Sequence, residues 1–154
     1  MEISEILAPE AVYAPIRVQS KKRLFQEIAQ SAATRFGLDE TTVMSVLQER
    51  ESLGPTGVGR GVALPHGRIE GVDQVKGLFF RLDMPIDFDS VDRKPVDLVF
   101  VLLAPENAGA EHLKALARVS RLLRDENTCA KIRSTRDAQA VYSILTAEET
   151  SKAA

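Results

Sequence analysis

The chain has 154 residues, of which 44% are hydrophobic and 27% charged, and its formal net charge is −2. This balance is typical of a single globular domain and lacks the basic excess expected of a nucleic-acid-binding protein. Cys129 is the single cysteine, which excludes an intramolecular disulfide, and the longest fully apolar run, 98–104, is too short to cross a membrane. The N-terminus does not resemble a signal peptide, so we expect a cytoplasmic protein.

Hydrophobic periodicity predicts one strand, two helices, several strands and then three helices, in chain order. The predicted strands are 12–18, 75–82 and 96–103, and the later helices are 111–123, 128–132 and 137–145. Ser20 and Asp39 are the expected N-caps of the first two helices, and Gly37 is expected to end the first. This order indicates helices layered on a mixed sheet, an α/β fold. We expect one domain over 1–148 and a disordered tail over 149–154, which has no apolar periodicity.

A glycine-rich stretch at 54–67 contains one of the chain's two histidines, His66. It is not a nucleotide-binding P-loop, because Arg60 and Gly61 stand where Lys and Ser or Thr are needed. His66 lies between Pro65 and Gly67, so the pattern predicts an exposed ring in an open loop, with glycine letting the backbone bend or a partner approach. A neutral imidazole in such a loop is a candidate nucleophile.

Two further side chains are candidates, each with two interpretations. His112 lies in the first turn of a predicted helix, where it either bonds to a backbone carbonyl or donates to an anion at the helix N-terminus. Arg50 either neutralises the C-terminal end of the second helix or contacts a phosphate with its guanidinium group. Arg60 and Arg68 are expected to be solvated surface residues. Neither a zinc-ligand spacing nor a Gly-x-Ser-x-Gly nucleophile motif occurs in the sequence, so no metal or other cofactor is predicted.

The stretch 51–67 resembles the active-site histidine motif of the mannitol/fructose-type enzyme IIA family of the phosphoenolpyruvate phosphotransferase system. The motif is an acidic or amide residue, six residues, an apolar residue and Gly, two residues, then apolar-Ala-apolar-Pro-His-Gly. It is filled here by Glu51, Val58, Gly59, Val62, Ala63, Leu64, Pro65, His66 and Gly67. Further runs at 19–22, 50–51, 56–57, 85–89, 94–98 and 111–113 are similar to the nitrogen-related branch of that family, enzyme IIA-Ntr.

The resemblance implies a three-layer α/β/α sandwich with a small mixed sheet. It implies that His66 accepts a phosphoryl group through Nε2 from an HPr-like phosphocarrier (NPr in this branch), with His112 and Arg50 stabilising the phosphate and no metal required. It also implies a phosphorylation-dependent regulator of nitrogen and potassium metabolism, acting on sensor kinases or potassium transport proteins. The alternative is a sugar-specific transport IIA, of fructose or mannitol type, that passes phosphate to a separate IIB protein.

Overall fold

Residues 1–147 are described by the computed structural model, in which helices and strands form one mixed α/β arrangement. The helices are α1 (Ile3–Ile6), α2 (Lys21–Phe36), α3 (Glu40–Ser52), α4 (Ala110–Leu123), α5 (Glu126–Arg133) and α6 (Ala138–Leu145). The strands are β1 (Val12–Ile16), β2 (Gly57–Gly59), β3 (Val62–Ala63), β4 (His66–Arg68), β5 (Lys76–Ile86) and β6 (Val96–Ala104). The predicted α/β fold is therefore confirmed.

The sheet has six strands, with β6 near its centre. β5 runs antiparallel to β6 on one side, and β3 and β4 both run parallel to β6 on the other side. β1 extends the sheet beyond β5, and β2 extends it beyond β3. Nearly every residue of β6 is buried, as its almost entirely apolar sequence predicts for a strand covered on both faces.

Helices cover both faces of this sheet. A Cβ at Gly67 would collide with Val46 of α3, whereas a Cβ at Gly77 would contact Ile6 of α1. These two glycines pair with successive residues of β6, Leu103 and Leu102 respectively. Because successive strand residues point to opposite faces, α3 and α1 lie on opposite sides of the sheet. α2 packs beside α3, while α4 packs beside α1 and on β6, which gives the three layers expected from the family resemblance.

Local sequence signals for the helix ends are confirmed in the first half of the chain. The Ser20 and Asp39 side chains accept hydrogen bonds from the backbone N–H groups of Arg23 and Thr42, at 3.1 and 3.0 Å. Gly37 ends α2 in the left-handed conformation, with φ 68°. Such a conformation strains residues with a Cβ, so glycine is the favoured residue there.

Several predicted boundaries were wrong. α5 begins at Glu126 rather than at 128, because Asp125 caps its first turn. β5 continues to Ile86, beyond the predicted end at 82, and β1 ends at Ile16 instead of 18. α1 was not predicted, since a helix of 4 residues is too short to show periodicity.

The glycine-rich stretch was also predicted incorrectly as an open loop. It forms β2 and β3, joined by a tight turn at Arg60 and Gly61 with φ values of 56° and 80°. Positive φ at both positions is typical of two-residue hairpin turns. The register of β3 with β6 places this turn beside Asp97, at the beginning of β6.

The predicted disordered tail, 149–154, lies outside the described residues, so the proposed domain extent of 1–148 stays a prediction. Within residues 1–147, no helix has the length and apolar character needed to cross a membrane. The cytoplasmic location likewise stays a prediction.

Candidate functional site

His66 belongs to the sheet rather than to an open loop. It is the first residue of β4 and pairs with Leu102 of β6, whose N–H donates to the Pro65 carbonyl at 3.0 Å. The ring is half-buried. The expectation of an open loop was wrong because the strand has only three residues and follows a proline, so it carries no readable alternation.

Gly67 has a different role from the one predicted. Its φ is not among the positive values found in residues 1–147. A Cβ at this position would collide with the Val46 side chain, so the missing side chain allows α3 to pack directly against β4. The glycine therefore secures the strand that carries His66.

The hydrogen bonding of His66 determines which ring nitrogen can react. Nδ1 lies 2.8 Å from the Leu64 carbonyl oxygen. Since a carbonyl only accepts hydrogen bonds, Nδ1 carries the proton in this pair, and the lone pair of neutral His66 is on Nε2. Burial has the largest effect on the pKa of His66 and lowers it below the usual value. Arg50 lowers this pKa further, whereas the Leu64 carbonyl and Glu51 raise it. The neutral form of His66, with its lone pair on Nε2, is therefore favoured near pH 7.

His112 lies against His66, as the hypothesis of a shared site requires. The two ring centroids are 5.5 Å apart, with an angle of 69° between the ring planes. His112 occupies the first turn of α4 and is only 7% exposed. Its Nε2 is buried without a hydrogen-bond partner in the described part of the chain, so the predicted bond to a backbone carbonyl is not made by this nitrogen. Burial, and then the charges of His66 and Arg68, lower the pKa of His112.

A buried nitrogen without a partner costs roughly 1–3 kcal/mol. A polar ligand group that reached this nitrogen would offset that cost. The N-terminus of α4, where backbone N–H groups lack helical partners, adds a partial positive charge to the same region.

Arg50 fits the helix-end interpretation, and its phosphate contact stays a prediction. It lies in the last turn of α3, where Nη1 donates to the Gly54 carbonyl at 2.9 Å. This bond engages one of the five guanidinium donors. Its charge also acts on the His66 ring, which places Arg50 in the electrostatic environment of the site.

Three residues with no role assigned from the sequence form a polar cluster beside Arg50. The Glu51 carboxylate accepts hydrogen bonds from Thr56 N at 2.8 Å and Thr56 Oγ1 at 2.6 Å. Lys21 Nζ lies 2.8 Å from Glu51 Oε2, and the Glu51 side chain is only 9% exposed. Glu51 opens the sequence motif, so the motif contained the signal, but its partners are set by the fold.

Arg68 was expected to be a solvated surface residue, and it is exposed. It lies two residues after His66 on β4, and therefore on the same face of the strand. Its charge lowers the pKa of His112, so it contributes to the field of the site despite its exposure.

The site therefore combines an unprotonated nitrogen of His66, a nearby unpartnered nitrogen of His112 and cationic side chains. Guanidinium groups, helix N-termini and imidazoles all stabilise phosphoryl oxygens, and phosphoryl transfer depends mainly on positioning and charge stabilisation. The arrangement suits acceptance of a phosphoryl group by His66.

Comparison with known proteins agrees with this chemistry. Residues 5–148 match the family model described as "Phosphoenolpyruvate-dependent sugar phosphotransferase system, EIIA 2". A nitrogen regulatory protein of Bradyrhizobium diazoefficiens is 56% identical over 145 residues, covering 94% of this chain and 95% of the relative. A fructose-specific EIIA component of Haloferax volcanii is 36% identical over 107 residues, covering 70% of each.

Structural similarity is also high. The crystal structure of nitrogen regulatory protein IIA-Ntr from Neisseria meningitidis superposes with a TM-score of 0.88 at 41% identity, covering 94% of this chain and 99% of that one. The sequence, the fold and the family match together identify a component of the phosphotransferase system. The chain belongs to the EIIA 2 family of the phosphoenolpyruvate-dependent sugar phosphotransferase system.

Proposed function

We propose that this chain accepts a phosphoryl group on Nε2 of His66 from an HPr-like phosphocarrier of the NPr type. The observation that carries the proposal is the hydrogen bond from His66 Nδ1 to the Leu64 carbonyl, which leaves the lone pair on Nε2. The depressed pKa of His66 keeps that nitrogen unprotonated near neutral pH. The nitrogen regulatory names of the relatives favour the NPr-linked branch over other carriers.

The transfer step is an in-line displacement between two imidazoles. The Nε2 lone pair forms a bond to phosphorus, while the P–N bond to the carrier histidine breaks and its electron pair returns to that ring. His66 keeps its Nδ1 proton, so the Leu64 carbonyl stabilises the positive charge that develops on the ring.

Arg50 and His112 stabilise the phosphoryl oxygens in this scheme. The partnerless Nε2 of His112 donates to one oxygen when it carries the proton, and the guanidinium of Arg50 offsets the negative charge. Loss of one such preorganised donor costs on the order of 10²–10³ in rate in enzymes that stabilise an anion this way.

We further propose that the phosphoryl group regulates partner binding, as the nitrogen regulatory relatives suggest. A phosphate adds about −1.5 to −2 charges at pH 7. That charge on the surface around His66 disfavours a partner that binds the unphosphorylated form, with sensor kinases and potassium transport proteins as candidate classes. The second candidate function is a transport IIA that donates phosphate to a separate IIB protein, which the fructose-specific relative favours.

Phosphorylation tests the first proposal directly. The protein is incubated with phosphoenolpyruvate, enzyme I and the carrier, and we expect acid-labile label on the wild type and none on His66→Ala. Label that survives His66→Ala refutes His66 as the acceptor. Chase of the labelled protein with sugar-specific IIB proteins then separates the two functions, because a regulator retains its label and a transport IIA transfers it.

Regulation is tested by affinity capture with wild type, His66→Ala and His66→Glu as baits. We expect a purified sensor kinase or potassium transport protein to bind His66→Ala more strongly than His66→Glu. Equal recovery of these proteins by all three baits refutes phosphorylation-dependent binding.

A further inference from the structure

The hydrogen bond that fixes His66 is itself held by a chain of contacts that begins at a buried carboxylate. Leu64 O accepts from His66 Nδ1 at 2.8 Å, and Leu64 N donates to the Thr56 carbonyl at 3.0 Å. Thr56 is bound in turn by Glu51 through both its backbone N–H and its hydroxyl group. Glu51 is thus linked to the His66 ring through two intervening residues.

Lys21 anchors the far end of this chain. Its Nζ pairs with Glu51 Oε2 at 2.8 Å and donates to the Phe88 carbonyl at 3.2 Å. The same ammonium lies 4.5 Å from the centroid of the Phe88 ring. These contacts connect the N-terminus of α2 and the segment after β5 to Glu51, so the carboxylate is fixed from two separate parts of the fold.

We propose that Glu51 is a positioning residue for His66, acting through Thr56. By holding Thr56, the carboxylate fixes the backbone at Leu64, and the Leu64 carbonyl then selects the Nδ1-protonated tautomer. This inference rests on the proposed role of His66 and assigns Glu51 no contact with the phosphoryl group.

Burial and charge both support this assignment. The Glu51 side chain is only 9% exposed. Removing a carboxylate from water costs free energy unless an ion pair and hydrogen bonds compensate for it, and Glu51 has both. The groups whose charges act on His66 are Arg50, which lowers its pKa, and Glu51, which raises it. Glu51 therefore also opposes the cation beside the nucleophile.

If Glu51 had only a structural role, its replacement would lower stability without changing the tautomer of the His66 ring. The following variants distinguish the two roles. Glu51→Gln removes the charge, Thr56→Val removes the hydroxyl donor, and Thr56→Ser retains that donor. Glu49→Gln is the matched control, because Glu49 is exposed near the same end of α3 and loses the same charge.

The experiment measures the ¹⁵N shifts of His66 Nδ1 and Nε2 and the single-turnover rate of transfer from the phosphorylated carrier. We expect Glu51→Gln and Thr56→Val to populate both tautomers and to slow transfer by about 10–100-fold, the range typical for loss of a supporting hydrogen bond or for misplacement of a reacting group. Thr56→Ser and Glu49→Gln are expected to match the wild type in both measurements.

The inference is overturned if folded Glu51→Gln and Thr56→Val keep the wild-type tautomer and rate. If Glu51→Gln does not fold, the pair Thr56→Val and Thr56→Ser decides the outcome, because only the hydroxyl group distinguishes their hydrogen bonding. The tautomer measurement needs no phosphate donor. It therefore tests the role of Glu51 even if the wild type fails to accept phosphate, a result that would refute only the proposed function.

Discussion

Gly67→Ala provides a quantitative test of how β4 is held in place. The added Cβ would overlap the Val46 side chain of α3, and φ at Gly67 is not in the left-handed region, so the penalty is steric. Overpacking of this kind costs about 1–3 kcal/mol, while replacing glycine returns roughly 0.4–1 kcal/mol through the unfolded state. We expect a net loss of about 1–2 kcal/mol in the free energy of unfolding.

This loss corresponds to a fall in Tm of roughly 2–8 °C for a protein of this length, measurable by calorimetry. Val46→Ala removes the colliding methyl groups and supplies the control. In a double-mutant cycle, Gly67→Ala and Val46→Ala together are expected to be less destabilising than the sum of the single changes, by about 1 kcal/mol or more.

Phosphate acceptance is measured on the same variants, since a displaced β4 moves His66. We expect the rate to fall in Gly67→Ala and to recover in the double variant. If Gly67→Ala is as stable as the wild type, or if its loss persists unchanged beside Val46→Ala, the contact between α3 and β4 is not what requires glycine.

Three further outcomes are expected. In an NMR titration both histidines are expected to have pKa values below the usual 6.5, because burial disfavours their charged forms, and a normal pKa for either ring contradicts this. Because the unfolded state then binds more protons, the free energy of unfolding is at its full value above about pH 6.5 and falls as the pH is lowered through the unfolded pKa. Arg50→Met is expected to slow phosphate acceptance about 10²–10³-fold, with Arg50→Lys intermediate. If both variants match the wild-type rate in rapid-quench assays, Arg50 does not stabilise the phosphoryl group. Asp97→Asn weakens the two-point contact with Arg133, which is 2.8 Å at its shortest, and is expected to lower the free energy of unfolding in denaturant by about 1 kcal/mol. It is not expected to slow phosphate acceptance, because Asp97 lies at the opposite end of β6 from the residue that pairs with His66.

The parts of the fold predicted from the sequence are those with a local physical cause. Ser20, Asp39 and Gly37 mark helix ends because capping bonds and a left-handed residue involve only neighbours in the chain. β6 was predicted because a strand buried on both faces is almost entirely apolar. β2, β3 and β4 were not, since each has at most three residues and depends on pairing with distant strands.

The same distinction between local and long-range causes applies to the candidate site. His66, His112 and Arg50 were singled out by side-chain chemistry and spacing. The structure places the two rings together, and the charge of Arg50 acts on the His66 ring. Apart from the Thr56 hydroxyl, the link from Glu51 to His66 runs through the backbone groups of Thr56 and Leu64. Every residue has such groups, so no residue pattern indicates which of them will be paired, and only the fold reveals the connection.

The proposed acceptor lies on a strand, and this position bears on its reactivity. A histidine in an open loop would have to be ordered at each encounter with the carrier, at about 1–2 kcal/mol for the backbone of each residue fixed. In β4 the backbone of His66 is already paired with β6, and the Leu64 carbonyl has already selected the tautomer. The ordering therefore occurs on folding, and in the proposed transfer docking has only to bring the donor phosphorus into line with Nε2.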